Sequence, residues 1–213
     1  MKVLDKGFVK IVDVMGSDLS VVNSARVSFG KKIEEIRPRD EKLIKYLWEN
    51  NHSSPFRHAT MQFHIKAPIF VLRQWMKHQI GCSWNEISGR YVEFDYEYYT
   101  PTHFRVQSKD NKQGSEGELD PTTEKQAQEI YWDTCDSAMQ DYIALLGLGV
   151  AKEQARMVLP MSLYSECYWT CSLQAVMHFL RLREDTHSQW EIQEYARAVR
   201  EISKEHFPVS LKL

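Results

Sequence analysis

The chain has no apolar run of the ~20 residues a membrane span requires, no CxxC pair, no Walker A sequence and no basic stripe. Each absence excludes a class. Its first ten residues, MKVLDKGFVK, lack the apolar centre of a signal peptide. The expected location is therefore the cytoplasm of a microbe, or of an infected host if the chain is virus-encoded. Only four cysteines occur, Cys82, Cys135, Cys167 and Cys171, without zinc-site spacing. A disulfide framework is not expected in a reducing compartment. The i,i+4 spacing of Cys167 and Cys171 suggests two small buried residues on a helix. Lys plus Arg number 27 against 29 Asp plus Glu, a net charge of −2. That balance argues against a nucleic-acid surface but leaves room for a local cationic pocket.

Two partial motifs carry little. Gly147-Leu148-Gly149-Val150 follows a helical stretch rather than a strand and lacks the third glycine of a dinucleotide fingerprint. His52, His58 and His64 recur every six residues, which fits neither a helix face nor a zinc signature, so no metal is expected. His52 stands apart from the other two, in a turn beside Ser53 and Ser54.

The 213 residues are 43% hydrophobic and 26% charged, which predicts one soluble domain over 1–213. Strands are expected at 7–13, 60–66 and 91–98, the last two from alternating apolar and polar residues. Helices are expected at 38–50, at 69–80 with Gly81 as C-cap, and from the Asp120-Pro121 start to about Leu146. Further helices are expected at 151–158, over most of 161–182, and at 187–205 behind a Thr186/Gln189 capping box. Residues 101–121 are polar and aperiodic, the composition of a mobile surface loop. The class is α+β: a central, mostly antiparallel sheet flanked by helices, with a helix-rich C-terminal half.

Chemistry concentrates in residues 73–91. Arg73 and Lys77 are spaced to share a helix face. His78, Glu86, Ser88 and Arg90 follow within a few turns. This mixture suits a phosphorylated heterocycle better than a purely structural element. Arginine grips phosphate through two parallel hydrogen bonds, and Ser88-Gly89-Arg90 suits a phosphate-holding turn. Cys82 and Ser88 are possible nucleophiles, but neither has an obvious base nearby in sequence. Arg156 and Arg183 are embedded in apolar sequence, so each needs an anion, either a protein carboxylate or a ligand.

Ser83, Asn85-Glu86, Ser88 and Arg90-Tyr91 match in order and spacing the second half of the signature of the flavin-dependent (alternative) thymidylate synthases. ARVSF at 25–29, the His52 turn, FHIKAPIFVLRQW at 63–75, ARMVLP at 155–160 and LREDTHSQWEIQEYA at 182–196 also resemble that family. The resemblance covers nearly the whole chain except 101–121. Two departures stand out. The family triplet Arg-His-Arg reads Lys77-His78-Gln79, and the interval to Ser83 is one residue longer.

The resemblance implies a homotetramer with active sites where subunits meet. It implies methylation of dUMP to dTMP, with 5,10-methylenetetrahydrofolate as carbon donor, FAD as hydride carrier and NADPH as reductant. By position, Gln74, Lys77, Glu86, Ile87, Ser88, Gly89, Arg90, Arg156 and Arg183 would surround dUMP. Ser88 and Arg90 would hold its phosphate, and Arg183 would act catalytically at the uracil edge. Ser28, His52, Ser54, Lys77, His78, Gln79, Glu86, Ser172, Gln174 and His178 would lie against FAD. No nucleic-acid or membrane partner is implied. The altered triplet leaves two other outcomes open: a related synthase making another 5-substituted nucleotide such as 5-hydroxymethyl-dUMP, or a nucleotide binder that has lost flavin.

Overall fold

A computed structural model describes residues 1–213. Its centre is built from alternating sequence. In β3 (Thr60–Pro68), Met61, Phe63, Ile65 and Ala67 point to one buried face, while Gln62, His64 and Lys66 point to the other. The remaining strands are β1 (Lys2–Val3), β2 (Gly7–Met15), β4 (Cys82–Glu86), β5 (Val106–Gln107), β6 (Ser115–Glu116) and β7 (Tyr164–Ser172). Five of the seven form one antiparallel sheet in the order β1-β2-β3-β7-β4, and β5 pairs with β6 separately. The helices are α1 (Asp18–Arg26), α2 (Pro38–Glu49), α3 (Ile69–Trp75), α4 (Pro121–Gly147), α5 (Lys152–Ala155), α6 (Leu173–Arg183) and α7 (Trp190–Ser203). None is long and apolar enough to cross a membrane.

Helices α3, α6 and α7 supply the cover of the sheet's apolar face. Trp75 at the end of α3 stacks on Phe179 of α6 at 4.7 Å between ring centroids. It also meets Trp169 of β7 edge-on at 5.3 Å. Trp84 of β4 stacks on Trp169 at 5.4 Å. These rings belong to one core of 31 buried residues, with Trp84 packed against its margin.

Several expectations need correction. Residues 161–182 are not one helix. β7 occupies 164–172 and α6 begins only at Leu173. Cys167, Trp169 and Cys171 alternate with Glu166, Tyr168 and Thr170, a period of two hidden within an apolar run. Cys167 and Cys171 are therefore buried on one face of a strand. Residues 91–98 form no strand; their only ladder contact is an isolated bridge between Tyr98 and Leu163. The side chains there are fixed instead by α4, where Asp136 accepts from the hydroxyls of Tyr96 and Tyr98.

Helix α3 stops at Trp75 rather than near Ile80, and Gly81 turns the chain into β4, which carries the signature residues up to Glu86. Helix α7 starts at Trp190, with Gln189 as N-cap and no capping box from Thr186. Segment 101–121 contains the β5–β6 hairpin. Arg105 ties that hairpin to Glu191 at 2.9 Å. Helix α1 was not anticipated.

Asp18, at the start of α1, is 2% exposed and accepts from the backbone N–H of Val209 and Ser210 and from the Ser210 hydroxyl. It clasps the C-terminal segment to the N-terminal half. Asp18→Ala leaves three donors without an acceptor, two of them buried on Ser210. It is expected to lower the unfolding free energy by about 3 kcal/mol, measured as a lower urea midpoint by tryptophan fluorescence.

Candidate active site

The first cavity forms where two chain reversals meet. After α3 the chain runs through Met76–Ile80, and Gly81, at φ +73°, admits the turn into β4. Opposite it, β7 passes directly into α6. The Ser172 hydroxyl accepts from the Ala175 N–H at 3.2 Å and so caps that helix. The two reversals enclose about 520 Å³. Lys77, His78 and Gln79 line it on one side, and Ser172, Gln174 and His178 on the other. Arg57, from the single turn of 3-10 helix at Ser54–Arg57, and Arg183, from the end of α6, complete its charge. No Asp or Glu lines the cavity. The N-terminus of α6 adds partial positive charge. The arrangement suits an anion.

Arg183 makes no ion pair. Its Nε donates to Nε2 of His78 at 2.9 Å, and a terminal nitrogen donates to the Gln74 carbonyl at 3.4 Å. A ring nitrogen can accept only when it carries no proton. Burial and the Arg183 and His178 charges hold His78 neutral, lowering its pKa to about 4. Burial also lowers the pKa of Arg183. The cation is thus oriented by neutral partners, and its charge is left for something else.

Arg183 also borders a second cavity of about 440 Å³, shared with Gln74, His187 and Gln113 at the tip of the β5–β6 hairpin. Gln74 is held there by a 2.6 Å bond from its amide to Gln189. A third cavity, of about 680 Å³, contains Glu86, Ile87, Ser88 and Arg156 together with Arg73. The first and third cavities lie at opposite ends of β4, a five-residue strand about 15 Å long.

Beside the third cavity the Ser88 hydroxyl accepts from the Arg90 N–H at 3.3 Å, forming a tight turn. A Cβ on Gly89 would come within 2.2 Å of the Phe94 ring, so any larger residue there displaces that ring. Arg90 is exposed, with Glu153 3.6 Å away. The Glu86 carboxylate accepts from the Ser165 hydroxyl at 2.7 Å.

The predicted flavin residues Lys77, His78, Gln79, Ser172, Gln174 and His178 therefore converge with Arg183. Glu86 does not join them. Ser28, His52 and Ser54 also lie outside the cavities; all three are exposed, and His52 packs on Tyr46 with 6.0 Å between ring centroids. The predicted nucleotide residues divide between the two ends of β4. Arg73 and Lys77 do not share a face, because α3 ends between them and they enter different cavities. Arg156 is exposed rather than embedded.

Sequence reasoning missed Arg57 as a lining residue; a cation directly after the Pro55-Phe56 pair was the available signal. Cys82 faces Cys171 across the β4–β7 ladder and lines none of these cavities.

Comparison with known proteins narrows the reading. Residues 10–209 match the family described as thymidylate synthase complementing protein. The chain is 49% identical over 210 residues to a flavin-dependent thymidylate synthase of Kosmotoga olearia, covering 99% of this chain and 90% of the relative. It is 49% identical over 208 residues to an enzyme of that name from Thermus thermophilus, covering 98% of this chain and 75% of the relative. Among solved structures it resembles the UMP/dUMP methylase PolB of Streptomyces cacaoi bound with 5-Br dUMP. That match has a TM-score of 0.88 and 33% identity, and covers 100% of this chain and 96% of the other.

The His78 environment has a pH signature. The unfolded chain keeps the ordinary value of 6.5, so between pH 6.5 and about 4 the unfolded state binds the extra proton. Stability linked to His78 is complete above pH 6.5 and is lost as the pH falls toward 4. Urea unfolding across this interval is expected to show a steeper acid dependence for the wild-type chain than for His78→Gln. Parallel curves would show that His78 is not held neutral.

Proposed function

The chain belongs to the thymidylate synthase complementing protein family, the flavin-dependent thymidylate synthases, and from that membership we propose how its residues divide the reaction. The substrate is dUMP and the product dTMP. 5,10-Methylenetetrahydrofolate donates the carbon, FAD is the flavin and NADPH its reductant. The observation that carries the assignment of residues is the cavity bearing Lys77, His78 and Arg183 with no carboxylate in its wall. A dinucleotide with a charged diphosphate fits that donor set, because protein anions would otherwise be needed to balance the cations.

When bound, the flavin supplies the hydride that completes the methyl group. The chain's own residues bind and orient. Lys77, His78, Gln79, Gln174 and His178 form the flavin wall, and Ser172 holds the first turn of α6 against it. Arg183, steered by neutral His78, presents its charge to the uracil edge and stabilises negative charge developing on the ring. Ser88, Gly89 and Arg90 form the phosphate turn. Exposed Arg90 loses little by exchanging its Glu153 contact for a phosphate, since such surface pairs contribute under about 1 kcal/mol.

One chain holds these two halves at opposite ends of β4, so a complete nucleotide site draws them from different copies in a homotetramer. Ile80 at 92% and Met157 at 77% exposure, one beside each half, support subunit contacts there.

Purified protein given dUMP, methylenetetrahydrofolate, NADPH and FAD is expected to yield a nucleotide heavier by one methyl group in mass spectrometry. Unchanged dUMP from folded, flavin-loaded protein would overturn the reading. Arg183→Ala is expected to cut turnover by at least about a hundredfold without a comparable loss of stability. Arg183→Ala and Arg90→Ala subunits, each nearly inactive, are expected to regain activity when mixed and reassembled. No recovery would place the whole site within one chain.

A further inference from the structure

We propose that Arg57 is a flavin-phosphate residue that supplies the positive charge missing at Gln79. The proposal rests on the flavin reading of the first cavity and extends it to a residue outside the family triplet. In the triplet, Lys77 keeps one charge, whereas Gln79 at the third position keeps none. Lysine is a point charge and lacks the planar fork that binds two phosphate oxygens together. Arg183 is assigned to the uracil edge, so its charge does not count toward the diphosphate. Without another guanidinium, the flavin wall would grip a diphosphate through Lys77 alone.

Arg57 meets this need by position and by its free valences. Pro55 and Phe56 are buried beneath it, and Phe56 meets Trp48 edge-on at 5.5 Å, which fixes the turn. The Arg57 side chain leaves the turn toward the N-terminus of α6. There its Nε donates to the Gln174 side-chain oxygen at 2.5 Å, and one terminal nitrogen donates to the Ser53 hydroxyl at 3.3 Å. Both partners are neutral, and Arg57 makes no ion pair. A guanidinium carries five N–H donors. Two are used to hold it in place, and three remain for oxygens entering the cavity. It shares that cavity with Lys77 and Gln79, so its charge acts where the triplet's would. The nearby helix terminus reinforces the same sign.

The test is flavin affinity, measured on the full chain by quenching of FAD fluorescence and independent of turnover. Arg57→Gln retains a donor for Gln174 but removes the charge. It is expected to raise the FAD dissociation constant about ten- to a hundredfold, as loss of a charge-assisted contact does. Arg57→Lys should fall between wild type and Arg57→Gln. The double variant Arg57→Gln/Gln79→Arg should recover most of the lost affinity, because charge returns to the same wall. Circular dichroism on each variant establishes that it is folded.

Wild-type affinity in folded Arg57→Gln would overturn the proposal while leaving the flavin reading intact. A double variant no tighter than Arg57→Gln would overturn the substitution of one charge for the other. A wild-type chain that binds no FAD would overturn the flavin reading itself, and this proposal with it.

Discussion

The packing of Trp75 against Trp169 and Phe179 is the contact on which the site depends. Trp75 is fully buried and lies 4.7 Å from Phe179 and 5.3 Å from Trp169. Aromatic pairs of this kind contribute roughly 0.5–1.5 kcal/mol each beyond the area they bury. Their larger effect here is geometric. Trp75 is the last residue of α3, so fixing it fixes where the chain departs toward Lys77, His78 and Gln79. Phe179 is one turn before Arg183 on α6. Locking the two rings face to face brings the Arg183 guanidinium to the His78 imidazole. The edge of the His78 ring also meets Phe179, at 5.2 Å between centroids. Core and site are thus successive residues of the same two segments.

That coupling decides the protonation chemistry. A protonated His78 would repel Arg183 and lose the ability to accept its hydrogen bond. Burial beside Phe179 and the neighbouring cation both favour the neutral ring, and they act in the same direction. The resulting pair carries one charge rather than two. It holds a guanidinium steady without a carboxylate that would compete with an anionic ligand. Burying Arg183 in part without an anion costs stability, and a binding site is where such a cost is usually found.

Much of this was legible in sequence. The alternation over 60–66 identified β3 as a strand, and Asp120-Pro121 marked the start of α4 correctly. The signature from Ser83 to Tyr91 drew attention to the Ser88–Arg90 turn, although it hid that residues 82–86 are themselves an edge strand. β7 was missed because it is buried on one face by Cys and Trp and runs straight into an apolar helix, so no turn residue separates the two periods. Grouping Arg73 with Lys77 failed for a related reason. Their spacing is helical, but Trp75 is drawn into the core and the helix ends there. Ser28, His52 and Ser54 were placed by position along the chain, and within one chain the fold leaves them outside the cavities.

The remaining question at the sequence level was whether the arginines in apolar surroundings are structural or ligand-binding, and their partners separate the two kinds. Arg26 pairs with buried Asp40, Arg105 with buried Glu191, and Arg200 with Glu184 at 2.7 Å. Each spans segments distant in sequence and carries the anion that a partly buried cation needs. Arg57, Arg73, Arg156 and Arg183 have no carboxylate within ion-pair distance, and all four border cavities. In a chain with 29 acidic residues and a net charge of −2, anions are not scarce. Arg57, Arg73 and Arg156 are exposed and solvated, so among the four only Arg183 carries a partly buried charge without an anion. Fold stability gives little reason for that placement, since the only partners of Arg183 are two neutral acceptors. An anion entering the first cavity, whose wall carries no carboxylate, would balance that charge.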